Sequence, residues 1–157
     1  MKYKLLSKLA KPPKKSNPDD IGWDVFPTRW EIENGYLIVY TDLAVQPPEG
    51  YYFDMFPRSS QCKIPWVFCN SVGVVDPGYT GGLQVRMRPM MSVELIREEH
   101  GIVKIKCDTI ASFELDLDKA IAQLVLRKIE DKDRKFEEVD NFEQTTRGDK
   151  GFGSTNK

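Results

Sequence analysis

Leu83-Gln84-Val85-Arg86-Met87-Arg88 alternates apolar and polar side chains at every step, the two-residue period that sends successive side chains to opposite faces of a β-strand. The pattern predicts a strand with Leu83, Val85 and Met87 on one face and Gln84, Arg86 and Arg88 on the other. Phe113, Leu115 and Leu117 alternate with Glu114, Asp116 and Asp118 in the same way. Working outward, Tyr36 to Val45 (YLIVYTDLAV) reads as a strand ended by Pro47 and Pro48, and Tyr51 to Phe56 as another closed by Pro57. Ile102 to Cys107 and Ala120 to Ile129 complete a set of roughly eight to ten strands. Helical periodicity is almost absent, and a short helix at Ser59 to Lys63 would be ended early by Pro65. Many short strands punctuated by Pro, Gly and Asp predict an all-β barrel or jelly roll.

The 157 residues fit a single domain, and a 40% hydrophobic content supports a real core. Lys and Arg total 23 against 24 for Asp and Glu, a net charge of -1. That balance excludes a nucleic-acid polymer held by bulk positive charge, while a small anion held by a local cluster remains compatible. No run approaches the length of a membrane span, and the opening MKYKLLSKLAKPPKK has too short an apolar stretch for a secretory signal. A cytoplasmic protein is expected. Cys62, Cys69 and Cys107 lack CxxC spacing and read as reduced, mostly buried small hydrophobes. His100, the single histidine, falls in a charged run that reads as a hairpin tip, so acid-base chemistry is left to carboxylates.

Four segments carry residues suited to phosphate chemistry. Arg147 to Lys157 (RGDKGFGSTNK) combines a guanidinium fork, glycines at 148, 151 and 153, the ring of Phe152 and the hydroxyls of Ser154 and Thr155. That set suits a lid over a nucleotide, and the same composition also fits a flexible terminus. Pro57-Arg58-Ser59-Ser60 puts a guanidinium beside two hydroxyls at a strand end, an anion site or an ordinary capping turn. Asn70 to Gln84 (NSVGVVDPGYTGGLQ) reads as a strand, a tight Asp76-Pro77-Gly78 turn, with Gly78 able to take a positive φ, and a return strand. Gln123 interrupts the apolar run of Ala120 to Leu126, so its amide must point outward or find partners.

Together with Asp20-Ile21-Gly22-Trp23-Asp24-Val25, these segments resemble the five ordered motifs of the trimeric dUTPase (dUTP diphosphatase) family. IGWDV resembles that family's AGYDL, and PRSS at Pro57 to Ser60 its second motif. Asn70 through Gly73, Asp76 and Tyr79 to Gly81 resembles NxxGVIDxDYxG. Asp118 to Leu124 resembles GDxIAQL, and Arg147 to Thr155 resembles RGxGGFGST. Any one motif is weak, whereas five in order are specific, and the likeness spans the chain from about Lys2 onward.

The resemblance implies a jelly-roll or distorted β-barrel domain over 1–144 and a mobile nucleotide lid over 145–157. It implies a homotrimer with each active site built from three chains, and hydrolysis of dUTP to dUMP and pyrophosphate with Mg²⁺. Asp76 corresponds to the carboxylate that orients and deprotonates the attacking water. Tyr79 packs against the deoxyribose, and Asn70 with the Gly73 backbone reads the uracil edge. Arg58, Ser59, Ser60 and Gln123 correspond to phosphate and metal-water contacts. Arg147, Gly153, Ser154 and Thr155 form the γ-phosphate clamp, Phe152 stacks on uracil, and Asp24 holds a water of the metal shell. This chain departs from the pattern at Gly78, Asp118 and Lys150 and in a longer 89–112 segment. Two alternatives share the fold: a dCTP deaminase or bifunctional deaminase-diphosphatase, which needs a glutamate where the return strand has Gln84, Arg86 and Arg88, and a nucleotide-gated regulatory protein acting on a protein partner through the 89–112 insertion.

Overall fold

The computed structural model describes residues 1–97, 103–109, 116–130 and 133–141. Twelve strands are present among them: β1 (Lys2–Leu5), β2 (Trp23–Val25), β3 (Arg29–Glu33), β4 (Tyr36–Tyr40), β5 (Leu43–Gln46), β6 (Tyr51–Pro57), β7 (Trp66–Phe68), β8 (Gly73–Val75), β9 (Gln84–Pro89), β10 (Met91–Arg97), β11 (Val103–Thr109) and β12 (Ala122–Lys128). Two four-stranded antiparallel sheets, ordered β2-β12-β6-β8 and β3-β4-β9-β7, are accompanied by the ribbons β1-β5 and β10-β11. The all-β expectation holds, and the only helical turn among the described residues is the 3₁₀ segment Ser59–Lys63. No helix there is long and apolar enough to cross a membrane.

The predicted alternation decides the core. Leu83, Val85 and Met87 are buried, with Arg86 and Arg88 exposed. They meet Leu37 and Val39 of β4 within their own sheet, and Val25, Phe53, Met55, Val75 and Leu124 from the other sheet. Asn34 and Gly35, with φ of 50° and 78°, make the two-residue loop that pairs Glu33 with Tyr36. Positive φ at both positions matches the right-handed twist of a hairpin.

Several expectations are corrected. The run Tyr36 to Val45 is two strands, β4 and β5, because the chain breaks at Thr41 and Asp42. Asp42 takes φ 48°, with its carboxylate accepting from Thr28 Oγ1 at 3.0 Å, while the buried Thr41 hydroxyl donates to Leu83 O at 2.7 Å. β8 and β9 do not form a hairpin: β8 pairs with β6, and β9 with β4 and β7. The Asp76 turn, closed by Tyr79 N donating to Asp76 O at 3.0 Å, therefore carries the chain from one sheet to the other. Val75 and Val85 enter the core from opposite sides. Gly78 does not take the left-handed φ allowed for it.

The strand predicted at 113–118 ends differently. Its described residues, 116–118, belong to a turn in which Asp116 Oδ1 accepts from Asp118 N at 2.9 Å, and Leu117 is exposed. A carboxylate that captures the backbone amide two residues on competes with strand pairing. Cys62 and Cys69 are exposed free thiols rather than buried ones. His100, Phe113 and the whole lid, with Arg147, Phe152, Gly153, Ser154 and Thr155, lie outside the described residues.

Candidate functional site

The remaining predicted site residues gather in two crevices. The first, of about 400 Å³, is polar and lined by Asp24, Arg58, Ser59 and Gln123, with Ser16, Asp20 and Gly22. Strand pairing builds it. β12 lies between β2 and β6, and places Gln123 opposite both Asp24 and Phe56. Arg58 follows the last residue of β6 in an extended conformation and leads into the 3₁₀ turn.

Side-chain bonds fix the polar groups. Gln123 Nε2 donates to Pro57 O at 3.1 Å, which satisfies the amide donor in a half-buried strand and leaves Oε1 as an acceptor on the crevice side. Asp24 is 8% exposed, its Oδ1 lies 2.9 Å from Arg58 Nε, and its Oδ2 accepts from Ser16 Oγ at 3.1 Å. Asp20 Oδ2 accepts from Asn17 N at 2.7 Å, closing the loop that forms the crevice wall. Gly22 abuts the side chain of Gln123 so closely that a Cβ would overlap Oε1 and stand 3.2 Å from the Gln123 Cβ.

The second crevice, of about 180 Å³, is lined by Asn70, Gly73, Asp76 and Tyr79, with Met55, Val75 and Gln84. Tyr79 OH donates to Gly82 O at 3.0 Å, which folds the loop back over itself. A Cβ at Gly81 would stand 2.6 Å from that hydroxyl. Asp76 is exposed at the end of β8, free to take a water or a ligand group.

The two crevices sit toward opposite edges of one sheet, β2 and β8 being its outer strands. Within a single chain the structure thus brings Arg58, Ser59, Gln123 and Asp24 together, and separately Asn70, Gly73, Asp76 and Tyr79. Ser60 is exposed in the 3₁₀ turn and lines neither crevice. The sequence assigns no site role to Ser16 or Gln84, and none to Asp20 although it begins the first-motif segment. Ser16 and Asp20 flank a Pro-containing turn whose sequence signal is Ser-Asn-Pro-Asp-Asp, common in any loop, and Gln84 reads as an outward-facing strand residue and as a position where a deaminase would need a glutamate.

An oxygen-rich crevice suits a hard cation, yet no group of three or more acidic, cysteine or histidine side chains among the described residues is placed to hold one directly. Mg²⁺ commonly keeps several waters and binds through one or two carboxylates plus substrate phosphates. The residues present fit an ion that would enter with a polyphosphate, with Gln123 Oε1 and Asp20 as crevice acceptors for its waters.

Two antiparallel sheets with crevices at opposite edges define a jelly-roll domain whose candidate site residues are divided. A dUTPase family model matches residues 96–156. The deoxyuridine 5'-triphosphate nucleotidohydrolase of Arabidopsis thaliana is 33% identical over 98% of this chain and 81% of its own length. The chain belongs to the dUTPase family. The solved dUTPase of Staphylococcus bacteriophage 80alpha with dUPNHPP is similar in fold, with a TM-score of 0.72, 30% identity and coverage of 98% of this chain and 96% of that one. A mutant dUTPase from phage phi11 of S. aureus, described as coordinating a structural Mg(II) ion, covers 91% of this chain and 98% of its own, with a TM-score of 0.67 and 25% identity.

Proposed function

We propose that this protein hydrolyses dUTP to dUMP and pyrophosphate in sites shared between the subunits of a homotrimer. The division of the site residues supports this reading most directly. One crevice holds a carboxylate, an aromatic ring and an amide suited to a nucleoside. The other holds a guanidinium, a hydroxyl and an amide suited to phosphates. Each supplies what the other lacks, and symmetric assembly brings one subunit's first crevice to its neighbour's second.

Asp76 holds the attacking water and takes its proton as the water oxygen bonds to the α-phosphorus and the pyrophosphate oxygen leaves. Tyr79, tied to Gly82 O, presents its ring to the sugar and leaves no room for a 2′-hydroxyl. Asn70 and the Gly73 backbone pair with the O4 acceptor and N3 donor of uracil. Cytosine presents the reverse pattern, and buried groups left unpaired discriminate by roughly 10⁴-fold. Arg58, Ser59 and Gln123 offset phosphate charge that would repel the nucleophile. Mg²⁺, when bound with the triphosphate, supplies further charge neutralisation at its oxygens. Arg147, Ser154 and Thr155 clamp the γ-phosphate, with Phe152 over the base, as the resemblance implies.

A pyrophosphate-release assay over dUTP, UTP, dTTP and dCTP, with and without Mg²⁺, tests this function. Turnover dominated by dUTP and dependent on the metal is expected. Equal use of dUTP and UTP, or ammonia release from dCTP, contradicts it.

A further inference from the structure

We propose that Leu6, in the N-terminal segment, is a positioning residue for Tyr79: it seats the Gly82 peptide that holds the tyrosine hydroxyl, and so sets how strictly the crevice excludes a ribose. The proposal rests on the reading of Tyr79 as the ring that meets the sugar, and deepens it by reaching a residue that lines neither crevice.

The Tyr79 ring is held at two points. Its hydroxyl donates to Gly82 O at 3.0 Å, and it lies so close over Gly81 that a Cβ there would stand 2.6 Å from the hydroxyl oxygen and 2.8 Å from Cζ. Both points belong to a Gly-Gly step, backbone of the widest conformational freedom. Such a peptide holds a hydroxyl in a fixed place only if it is itself fixed from outside. On the C-terminal side, Leu83 N donates to Leu43 O at 2.8 Å, and Leu83 O accepts from Thr41 N at 3.2 Å and from Thr41 Oγ1 at 2.7 Å. At Gly82 itself the contact is Leu6. Its Cδ1 lies 3.0 Å from the point that a Cβ on Gly82 would occupy, and among the described residues no other atom beyond the chain neighbours comes within 4 Å of that point.

Strand pairing puts Leu6 there. β1 pairs with β5 as far as Leu5 opposite Leu43, and Leu6 N donates to Asp42 O at 2.8 Å, one residue beyond the ribbon. Because Leu43 O receives Leu83 N, the Asp42-Leu43 corner is a common frame that carries both Leu6 and the residue next to Gly82. β1 also borders the Tyr79 loop, since Lys2, Tyr3 and Lys4 share a cleft of about 210 Å³ with Thr80. Leu6 is 47% exposed and lies outside the core, so its removal acts on the Gly82 seat more than on stability. A ring that shifts with its seat no longer fills the space of a 2′-hydroxyl, and that space is all that separates the two sugars.

The test compares Leu6→Ala, Leu6→Met, Tyr79→Phe, Tyr79→Ala and the double variant Leu6→Ala/Tyr79→Phe in the full-length protein, with the thermal transition of each as a check on folding. The readout is the ratio of kcat/KM for dUTP to that for UTP, with kcat and KM resolved for both. Leu6→Ala is expected to lower the ratio roughly tenfold, the low end of what one misfitted pocket group costs, with kcat for dUTP retained. Leu6→Met keeps the apolar reach and should keep the ratio. Tyr79→Phe cuts the same linkage at the hydroxyl and should lower the ratio as much, with the double variant no worse than either. Leu6→Val, one carbon shorter, carries the same readouts should Leu6→Ala fail to fold. An unchanged ratio in the shortened Leu6 variants, even with an equal loss for both nucleotides, makes Leu6 a packing residue only and overturns the proposal, as do additive losses in the double variant. Tyr79→Ala separates this outcome from the reading beneath it: a ratio unchanged there removes the sugar role of Tyr79 itself, and this proposal with it.

Discussion

Gly22 illustrates how a site is set by an absent side chain. Any Cβ there collides with Gln123, whose Nε2 is committed to Pro57 O, so the displaced amide would carry Oε1 off its crevice position. Gly22→Ala is expected to lower kcat/KM by about 10²-fold while the thermal transition moves little, measured by steady-state kinetics beside calorimetry. Asp76 differs in kind, being exposed at a strand end with nothing but the turn hydrogen bond to its carbonyl. Asp76→Asn removes the proposed general base and should cost about 10² to 10⁴ in turnover with affinity for a non-hydrolysable dUTP analogue retained. Equal loss of rate and binding would mean that the crevice has collapsed.

The strands show why some of the fold is readable from residue order and some is not. The Leu83, Val85 and Met87 alternation translates directly into burial because one face of β9 meets the core. Met87→Ala empties a site with 0% exposure and should destabilise by about 2–5 kcal/mol, measured by urea unfolding. The β4-β5 break was hidden because Thr41 and Asp42 sit within an apolar run, and the turn is made by tertiary bonds from Thr28 and to Leu83. Likewise, the segment between Val75 and Gln84 carries every sign of a hairpin, yet its ends belong to different sheets. Local turn chemistry fixes the bend and not the partner. The 116–118 turn has its own signature: the Asp118 amide and Lys119 hold the Asp116 carboxyl below its ordinary value of 3.8. A lowered folded-state pKa stabilises above the unfolded value and is lost as pH falls through the folded one. In an NMR titration, Asp116 should protonate below pH 3.8, and Lys119→Ala should raise its midpoint. The proposed lid is tested at this level too. Truncation after Thr146 is expected to abolish efficient turnover while leaving the circular dichroism of the β-body unchanged.

Across the whole molecule, the decisive fact is that nucleoside-type and phosphate-type residues lie near opposite edges of one sheet, in separate crevices. The motifs name the candidate residues, since residue type and order suffice for that. They did not disclose which of them one chain can bring together, because the division follows from strand pairing between segments as distant as Trp23–Val25 and Ala122–Lys128. Ser16 was invisible for the same reason, acting through a carboxylate brought to it by a bridge from Lys14 to Asp24. The direct test of a shared site is complementation. Asp76→Asn and Arg58→Ala proteins, each nearly inactive alone, are unfolded together, refolded in equal amounts and assayed for dUTP hydrolysis. If sites join the Asp76 crevice of one chain to the Arg58 crevice of another, random assembly leaves roughly a quarter of the sites with both residues intact, and turnover should recover to about that fraction of wild type. A mixed sample no more active than the two variants assayed separately, despite confirmed subunit exchange, would contradict a site built between chains.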